Sequence, residues 1–545
     1  MKAMRAIGAA ALAGAMLAAT PAVAGESEDF AGCDGLRKPK TKDDGMRGVA
    51  SLPGYSFGAG VGPEATIAAC TRALTGGKLL ATQTLRQAHL LRARAAAKLK
   101  LGATQEALAD LDLADTAIAP LRGEVFFDRS LGASLDLMRA LALAQGGDVA
   151  KALPLAEKAA ASRPYALPVQ MSATMIQQAA QQADGKVAVD WGRLTRLQPE
   201  LAAAIVSLEV SRGNYASAVA VARATPLYAP VLAKPQDGAE PFVALGQHGE
   251  ALLDSARAGH DLAYALAATG DVAGARTALA RAGDAYARLT GAAVIPGALA
   301  GNGSPRKDFF APQARLVEAR IALAEGRVTD AEGLTAEALP AGRPARDLEL
   351  AIMRARNAGP PPIVSAETRR DPNLGALAST LLIAYESPEG VSYKKSRPNI
   401  LGALVGAAFS MGTSLLSGIP KTSGFKETEN ADGTLTVEYD GHSPSAPMVQ
   451  EMTLLRAAEI AKAAGKPGFA ITARNDYSRW LTQTQYGVTL SRTPSGHKSE
   501  LTIRLLDSDA LVAEQGFAAA TVIDRLGPLY YDTKPVTQAD PRRRG

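Results

Sequence analysis

The chain is poor in the residues from which reactive sites are usually built. It has two cysteines, five histidines and 5% aromatic residues in a length of 545. His89, His248, His260, His442 and His497 are scattered, and none forms the H-E-x-x-H or H-x-x-x-H spacing that puts two ligands on one helix face. Cys33 and Cys70, once paired, leave no thiolate. No G-x-S-x-G elbow and no G-x-x-x-x-G-K-[ST] phosphate loop occurs. Gly58-Ala59-Gly60-Val61-Gly62 is glycine-rich but follows no strand pattern. Charge of one sign is also lacking: the net charge is +5, and +3 without Lys2 and Arg5. So mild an excess gives no case for a nucleic-acid partner. The expectation is of no catalytic, cofactor-binding or metal-binding residues.

What the chain does have is a spacing. Ala95, Gly102, Ala107 and Ala114 recur as Ala140, Gly147, Ala152 and Ala159, then Ala263, Gly270, Ala275 and Ala282, then Ala319, Gly326, Ala331 and Ala338. Val206, Gly213, Ala218 and Thr225 form a weaker copy. Around Gly102, two alanine-rich helical runs, about 84–101 and 104–117, carry Leu90, Leu91, Leu99, Leu108 and Leu111 at spacings of three and four. A glycine between them ends the first helix in a left-handed conformation. The small residues let the paired helices approach closely.

This pattern resembles the tetratricopeptide repeat, and Pro164 stands where that repeat often closes. The large aromatics of the family are missing from the first helix of every copy. The turn aromatic survives only as Tyr215. The resemblance implies a superhelix with a concave groove for a peptide or protein.

Taken in order, residues 1–24 read as a secretory signal: basic Lys2 and Arg5, apolar 7–19, then Ala22-Val23-Ala24. Residues 25–62 form an N-terminal segment tied by a Cys33–Cys70 disulfide, the natural pairing after export, with two free thiols or a lipidated Cys33 as rivals. Such a bridge would contribute about 3–4 kcal/mol. The Ile67–Leu74 string resembles the first helix of exported tetratricopeptide proteins of Gram-negative bacteria. Repeats are expected over 63–357 and a Pro-rich linker over 358–372.

Residues 373–423 combine a hairpin, with strands over 380–395, and a charge-free stretch at 399–419. In that stretch Gly402, Gly406, Ser410, Ser414 and Gly418 fall on one helical line, resembling a glycine zipper. Three readings stand: a packing or self-associating helix, membrane contact, or an apolar linker.

Residues 424–530 read as an α+β domain: a hairpin at 424–441, an amphipathic helix at 447–465 with Val449, Met452, Leu455, Ile460 and Ala464 inward, strands at 469–473, 486–492 and 500–506, and a last helix at 518–526. Gly441-His442-Ser443-Pro444-Ser445 is expected to be the loop into the first helix, with a serine as its cap, and Arg456 and Glu459 to pair towards solvent. Tyr477, Trp480 and Tyr486, with Arg474 and Arg479, cover a sheet edge or make a ligand platform. Leu454–Ile460 and its flanks resemble a small domain of uncharacterised bacterial envelope lipoproteins. A tail follows at 531–545.

The fold class expected is therefore mainly α, a tetratricopeptide-like α-solenoid followed by a small α+β domain. The function expected is a periplasmic or cell-envelope scaffold that binds a protein or peptide partner, with homo-oligomerisation left open. The alternative is an enzyme or enzyme regulatory subunit whose cleft at the repeat/α+β junction converges on His442, His497 or Arg474.

Overall fold

A computed structural model describes residues 26–39, 44–46, 62–184, 187–225, 227, 241–290, 309–356, 374–379, 381–386, 424–441, 445–485 and 488–531. The charge-free stretch with Gly402, Gly406, Ser410, Ser414 and Gly418 lies outside them, as do the signal, the linker and His442.

The chain is mainly helical. Helices α1 (Glu26–Asp34), α2 (Pro63–Thr75), α3 (Thr84–Lys100) and α4 (Thr104–Ala117) come first. They are followed by α5 (Ala133–Gln145), α6 (Val149–Ser162), α7 (Leu167–Asp184), α8 (Leu201–Arg212) and α9 (Tyr215–Ala224). Next are α10 (Pro241–Ala268), α11 (Val272–Thr290), α12 (Ala311–Ala324), α13 (Val328–Thr335) and α14 (Arg343–Ala355).

Five helix pairs share one turn. Gly102, Gly147, Gly213, Gly270 and Gly326 all have φ between 75° and 90°. In each pair the residue after the glycine donates its N–H to a carbonyl five residues back, as Asp148 does to Leu143 at 2.9 Å and Arg327 to Ala322 at 2.9 Å. This closure satisfies carbonyls that the helix end would otherwise leave orphaned. The alanines of the spacing are buried in the first three full copies. Ala338 departs from it: α13 stops at Thr335, so this alanine lies beyond the helix and is exposed. Tyr215 packs its ring against Tyr264, tilted by 57° with centroids 5.3 Å apart, and donates to Asp347 at 2.8 Å, tying α9 and α10 to α14.

At the N-terminus Cys33 and Cys70 are joined, with sulfurs 2.07 Å apart. The bond pins α1, a helix the sequence reading did not anticipate, onto α2 and α3. Asp34 at its end accepts from Arg86 Nη2 at 2.9 Å and lies 2.9 Å from His89 Nδ1, all three buried. Burial, reinforced by the positive charge of Arg92, outweighs the Asp34 hydrogen bond and pulls His89 down to about 4.

The C-terminal unit is a five-stranded antiparallel sheet in the order β1-β2-β4-β3-β5. The strands are β1 (Gly424–Glu429), β2 (Leu435–Gly441), β3 (Gly468–Gln485), β4 (Val488–Leu506) and β5 (Phe517–Ala518). Helix α15 (Ala446–Ala463) lies across β2, β3 and β4, beside α17 (Ala519–Tyr530), with the short α16 (Ser508–Ala513) at the edge. The strands expected at 486–492 and 500–506 are one strand, and that expected at 469–473 runs on to Gln485. Residues 381–386, expected in a strand, pair with none: they follow a short 3₁₀ turn at Leu374–Ser379, and the N–H of Ile383 turns back to the carbonyl of Leu381 at 2.9 Å.

Helix α15 is not amphipathic. Pro447 to Glu459 are all buried, because the helix sits between the sheet and α7, with α17 alongside. Val449, Met452 and Leu455 are inward as expected, but Ala464 is exposed beyond the helix end. Arg456 and Glu459 do pair, at 2.9 Å, yet in the interior, where Arg456 also reaches Glu427 at 2.6 Å.

Two outcomes follow. Gly147→Ala should cost about 1–2 kcal/mol, since a side chain there meets open space but an unfavourable φ. Gly333→Ala, with open space and an ordinary helical φ, should gain up to about 1 kcal/mol; urea melts of both test this. For His89, the unfolded chain takes up a proton between its ordinary 6.5 and the folded value of about 4, and the folded chain does not. Stability should therefore fall by up to about 3 kcal/mol as pH drops through that window, and His89→Gln should flatten the slope of urea midpoint against pH.

Candidate functional site

The chemistry of this chain is concentrated in the seam between the helical array and the sheet unit. Its hub is Arg163, fully buried at the C-terminal end of α6. Pro164 follows and disfavours a further helical turn, so the chain leaves the helix at Arg163. Arg163 Nε and Nη2 donate to the two oxygens of Glu451 on α15, at 3.0 and 3.1 Å. Nη2 also donates to Glu386 at 2.8 Å, and Nη1 to the carbonyl of Arg129 at 2.8 Å.

A turn of π-helix at Asp128–Gly132 supplies two further partners. Arg129 Nη2 donates to Glu451 at 2.6 Å, and Ser130 Oγ accepts the N–H of Glu386 at 3.1 Å. From α17, Tyr530 donates its hydroxyl to Glu451 at 2.7 Å. Ser445 accepts the N–H of Met448 at the start of α15, so it is the serine of that loop which caps the helix, and it also donates to Glu386.

Two cations and two carboxylates thus share a desolvated volume. Burial pushes both carboxyls towards neutrality. At Glu451 the guanidiniums of Arg129 and Arg163 outweigh burial and hold the carboxyl at about 2. At Glu386 burial prevails over its one guanidinium neighbour and raises the carboxyl above its usual range. Glu386 Oε2 has no hydrogen bond, which marks it as the weaker-held end of the cluster.

A second polar contact crosses the same seam. A bulge between Ile471 and Ala473 shifts the side-chain alternation of β3, so that Arg474 and not Ala473 faces inward opposite Leu501. Arg474 then donates to Asp476 at 2.7 Å and to the carbonyl of Leu197 at 3.4 Å, while its own N–H reaches Glu200 at 2.8 Å. Gln450 of α15 completes the group, donating to Asp476 at 2.8 Å.

Of the residues singled out in the sequence for a junction cleft, His442 lies outside the described residues, and Arg474 and His497 stand four register positions apart along the β3–β4 pair. Arg474 is committed to the seam. His497 lines a cleft of about 70 Å³ with Gln450, Asp476, Tyr477, Ser478 and Lys498, room for a few waters. Lys498 lies 5.5 Å from the Tyr477 ring, and Arg479 pairs with Asp440 at 2.5 Å. A larger open hollow of about 420 Å³ lies between α4 and α5, lined by Asp112, Asp115, Thr116, Ala119, Arg122 and Arg139. Its charges are paired: Arg139 with Asp112 at 2.8 Å, Arg122 with Asp115 at 2.6 Å. Among the described residues no group of three or more His, Cys, Asp or Glu could hold a metal ion. No helix of those residues is long and apolar enough to cross a membrane.

Compared with known proteins, the chain matches no family model, no curated protein and no solved structure.

Sequence reasoning missed Arg129, Arg163, Glu386, Glu451 and Tyr530. One signal was present: apolar residues occur on every side of α15, so its charged residues had to be buried. Arg163→Met should cost about 3–5 kcal/mol in denaturant unfolding, because it strands two buried carboxylates. Arg139→Met, at a part-exposed pair, should cost under about 1 kcal/mol.

Proposed function

We propose that this protein is an exported helical-repeat adaptor of the cell envelope, a tetratricopeptide-like array that holds a protein or peptide partner while the sheet unit fixes it in an assembly. The observation that carries this reading is the fivefold recurrence of one helix-pair closure, at Gly102, Gly147, Gly213, Gly270 and Gly326. Stacked units of this kind build long surfaces more readily than enclosed pockets. The buried seam supports it further, since a scaffold that transmits position must hold its two parts rigidly. The α4–α5 hollow, with its four alternating charges, is a surface on which an extended polar partner can exchange one ion pair for another.

The test is crosslinking in the intact envelope followed by purification of the tagged chain. The wild type should retain a defined partner, or itself, and Arg122→Glu with Arg139→Glu should lose it at unchanged helicity. Absence of any stable partner or self-association would overturn the reading. The same preparations, extracted with high salt and then detergent, should yield wild type in the salt fraction if 399–419 packs within the protein. Gly406→Leu with Ser410→Leu should then shift its size or its partners.

A further inference from the structure

Three ionisable side chains are sealed inside the seam. Arg163, Glu451 and Glu386 have 0%, 0% and 1% of their side chains exposed. One guanidinium therefore stands between two carboxylates. The second cation, Arg129, sits at the edge of this volume with 11% of its side chain exposed, and it is spent on Glu451. The carboxylates are served unequally. Glu451 takes bonds on both oxygens, from Arg163 Nε and Nη2, from Arg129 Nη2 and from the Tyr530 hydroxyl. Glu386 takes its bonds from Arg163 Nη2 and Ser445 Oγ, and both fall on Oε1. Its Oε2 is buried with no hydrogen bond.

An ionised oxygen sealed away without a donor is far costlier than a neutral hydroxyl in the same place. A proton has an open seat here. It goes to Oε2, which has no bond to lose, and Oε1 keeps Arg163 and Ser445 as the carbonyl oxygen of a neutral carboxyl. The sealed volume then holds one guanidinium and one carboxylate. Around Glu386 stand Arg163 from α6 and Glu451 from α15, and through Glu451 also Arg129 from the π-helical turn and Tyr530 from α17. From α3, Arg92 reaches the carbonyl of Ile383, three residues upstream. None of these gives Oε2 a donor. The dominance of burial over Arg163 at this carboxyl points the same way.

Glu386 also joins the two parts of the molecule. Its N–H goes to Ser130 and its Oε1 to Arg163, both in the helical array, while Ser445 at the head of α15 donates to it from the sheet unit. We propose that Glu386 is the proton-binding site of the seam: the joint between array and sheet closes with a proton taken from solvent, and it loosens when that proton is lost. The sign follows from linkage. The closed form holds the proton more tightly than an open form in which the carboxyl meets water. Stability from this group is therefore full below the ordinary value of 4.5 and is lost as pH rises above it. Glu451 and His89 act in the opposite sense, losing their contributions as pH falls.

The test is amide hydrogen exchange of the full chain beside Glu386→Gln, which keeps the shape of the neutral carboxyl. Dividing wild type by variant at each pH removes the intrinsic pH dependence of exchange, and His89 and Glu451 titrate in both proteins. Between about pH 5 and about pH 8 the ratio in α15 and α17 should rise, by up to about tenfold per pH unit, the slope of one proton. In α4, away from the seam, it should stay near one. A ratio that is flat or falls with pH in α15 and α17 would overturn the proposal. An equal slope in α4 would do so too, by making the proton a property of the whole fold. As a second measurement, the infrared difference between the two proteins should show a protonated-carboxyl band in wild type, vanishing at a higher pH than for an exposed glutamate. A band that vanishes at or below that pH ends the proposal. Neither failure touches the adaptor reading, since the joint binds its proton whether or not the array carries a partner.

Discussion

The pairing of Arg163 with Glu451 and Glu386 is the contact on which the arrangement of this molecule turns. A guanidinium taken out of water has no value to a fold unless each donor finds an acceptor, and here the acceptors come from distant parts of the chain. That requirement fixes the end of α6 against the middle of α15, and α15 in turn carries the sheet on one side and α17 on the other. Geometry rather than strength is what such a cluster confers. Apolar surfaces slide over one another at little cost, whereas a bidentate arginine has one register.

The same demand explains why α15 contradicts its own pattern. A helix buried on all sides should be apolar all round, yet this one holds Gln450, Glu451, Thr453, Arg456 and Glu459 within its buried span. The charged ones are met: Glu451 by Arg129, Arg163 and Tyr530, and Arg456 by Glu427 and Glu459, while Gln450 keeps one buried oxygen without a hydrogen bond. The bulge beside Ala473 belongs to the same logic, since it turns an arginine inward towards Leu197 and Glu200 instead of leaving an alanine there.

What could be read from the residues was whatever depends on neighbours in sequence. The left-handed glycines, the buried alanines of the first three full copies, a serine cap before α15 and the hairpin around Ala431-Asp432-Gly433 all follow from local stereochemistry. The cysteine pair was legible as well, because only one pairing existed. What could not be read was whatever depends on the seam. Arg163 and Glu386 have their partners hundreds of residues away, and Arg456 with Glu459 read as a surface pair because nothing within ten residues tells that Glu427 and Tyr531 close over them. The recurrence at Ala338 failed for a local reason: α13 is shorter than its counterparts and ends before reaching it.

The spread of the Arg163 cluster along the chain also sets an order of events. Its members stand at 129, 130, 163, 386, 445, 451 and 530, so the hub is made hundreds of residues before its last ligand. Local helix pairs can close as they are synthesised, but this contact must wait until Tyr530 has emerged. Until then the N-terminal helices present an arginine without its carboxylates and the apolar side chains that Leu381 and Ile383 later cover. The nascent protein is therefore most sticky when it looks most nearly finished, and the last helix acts as the stopper.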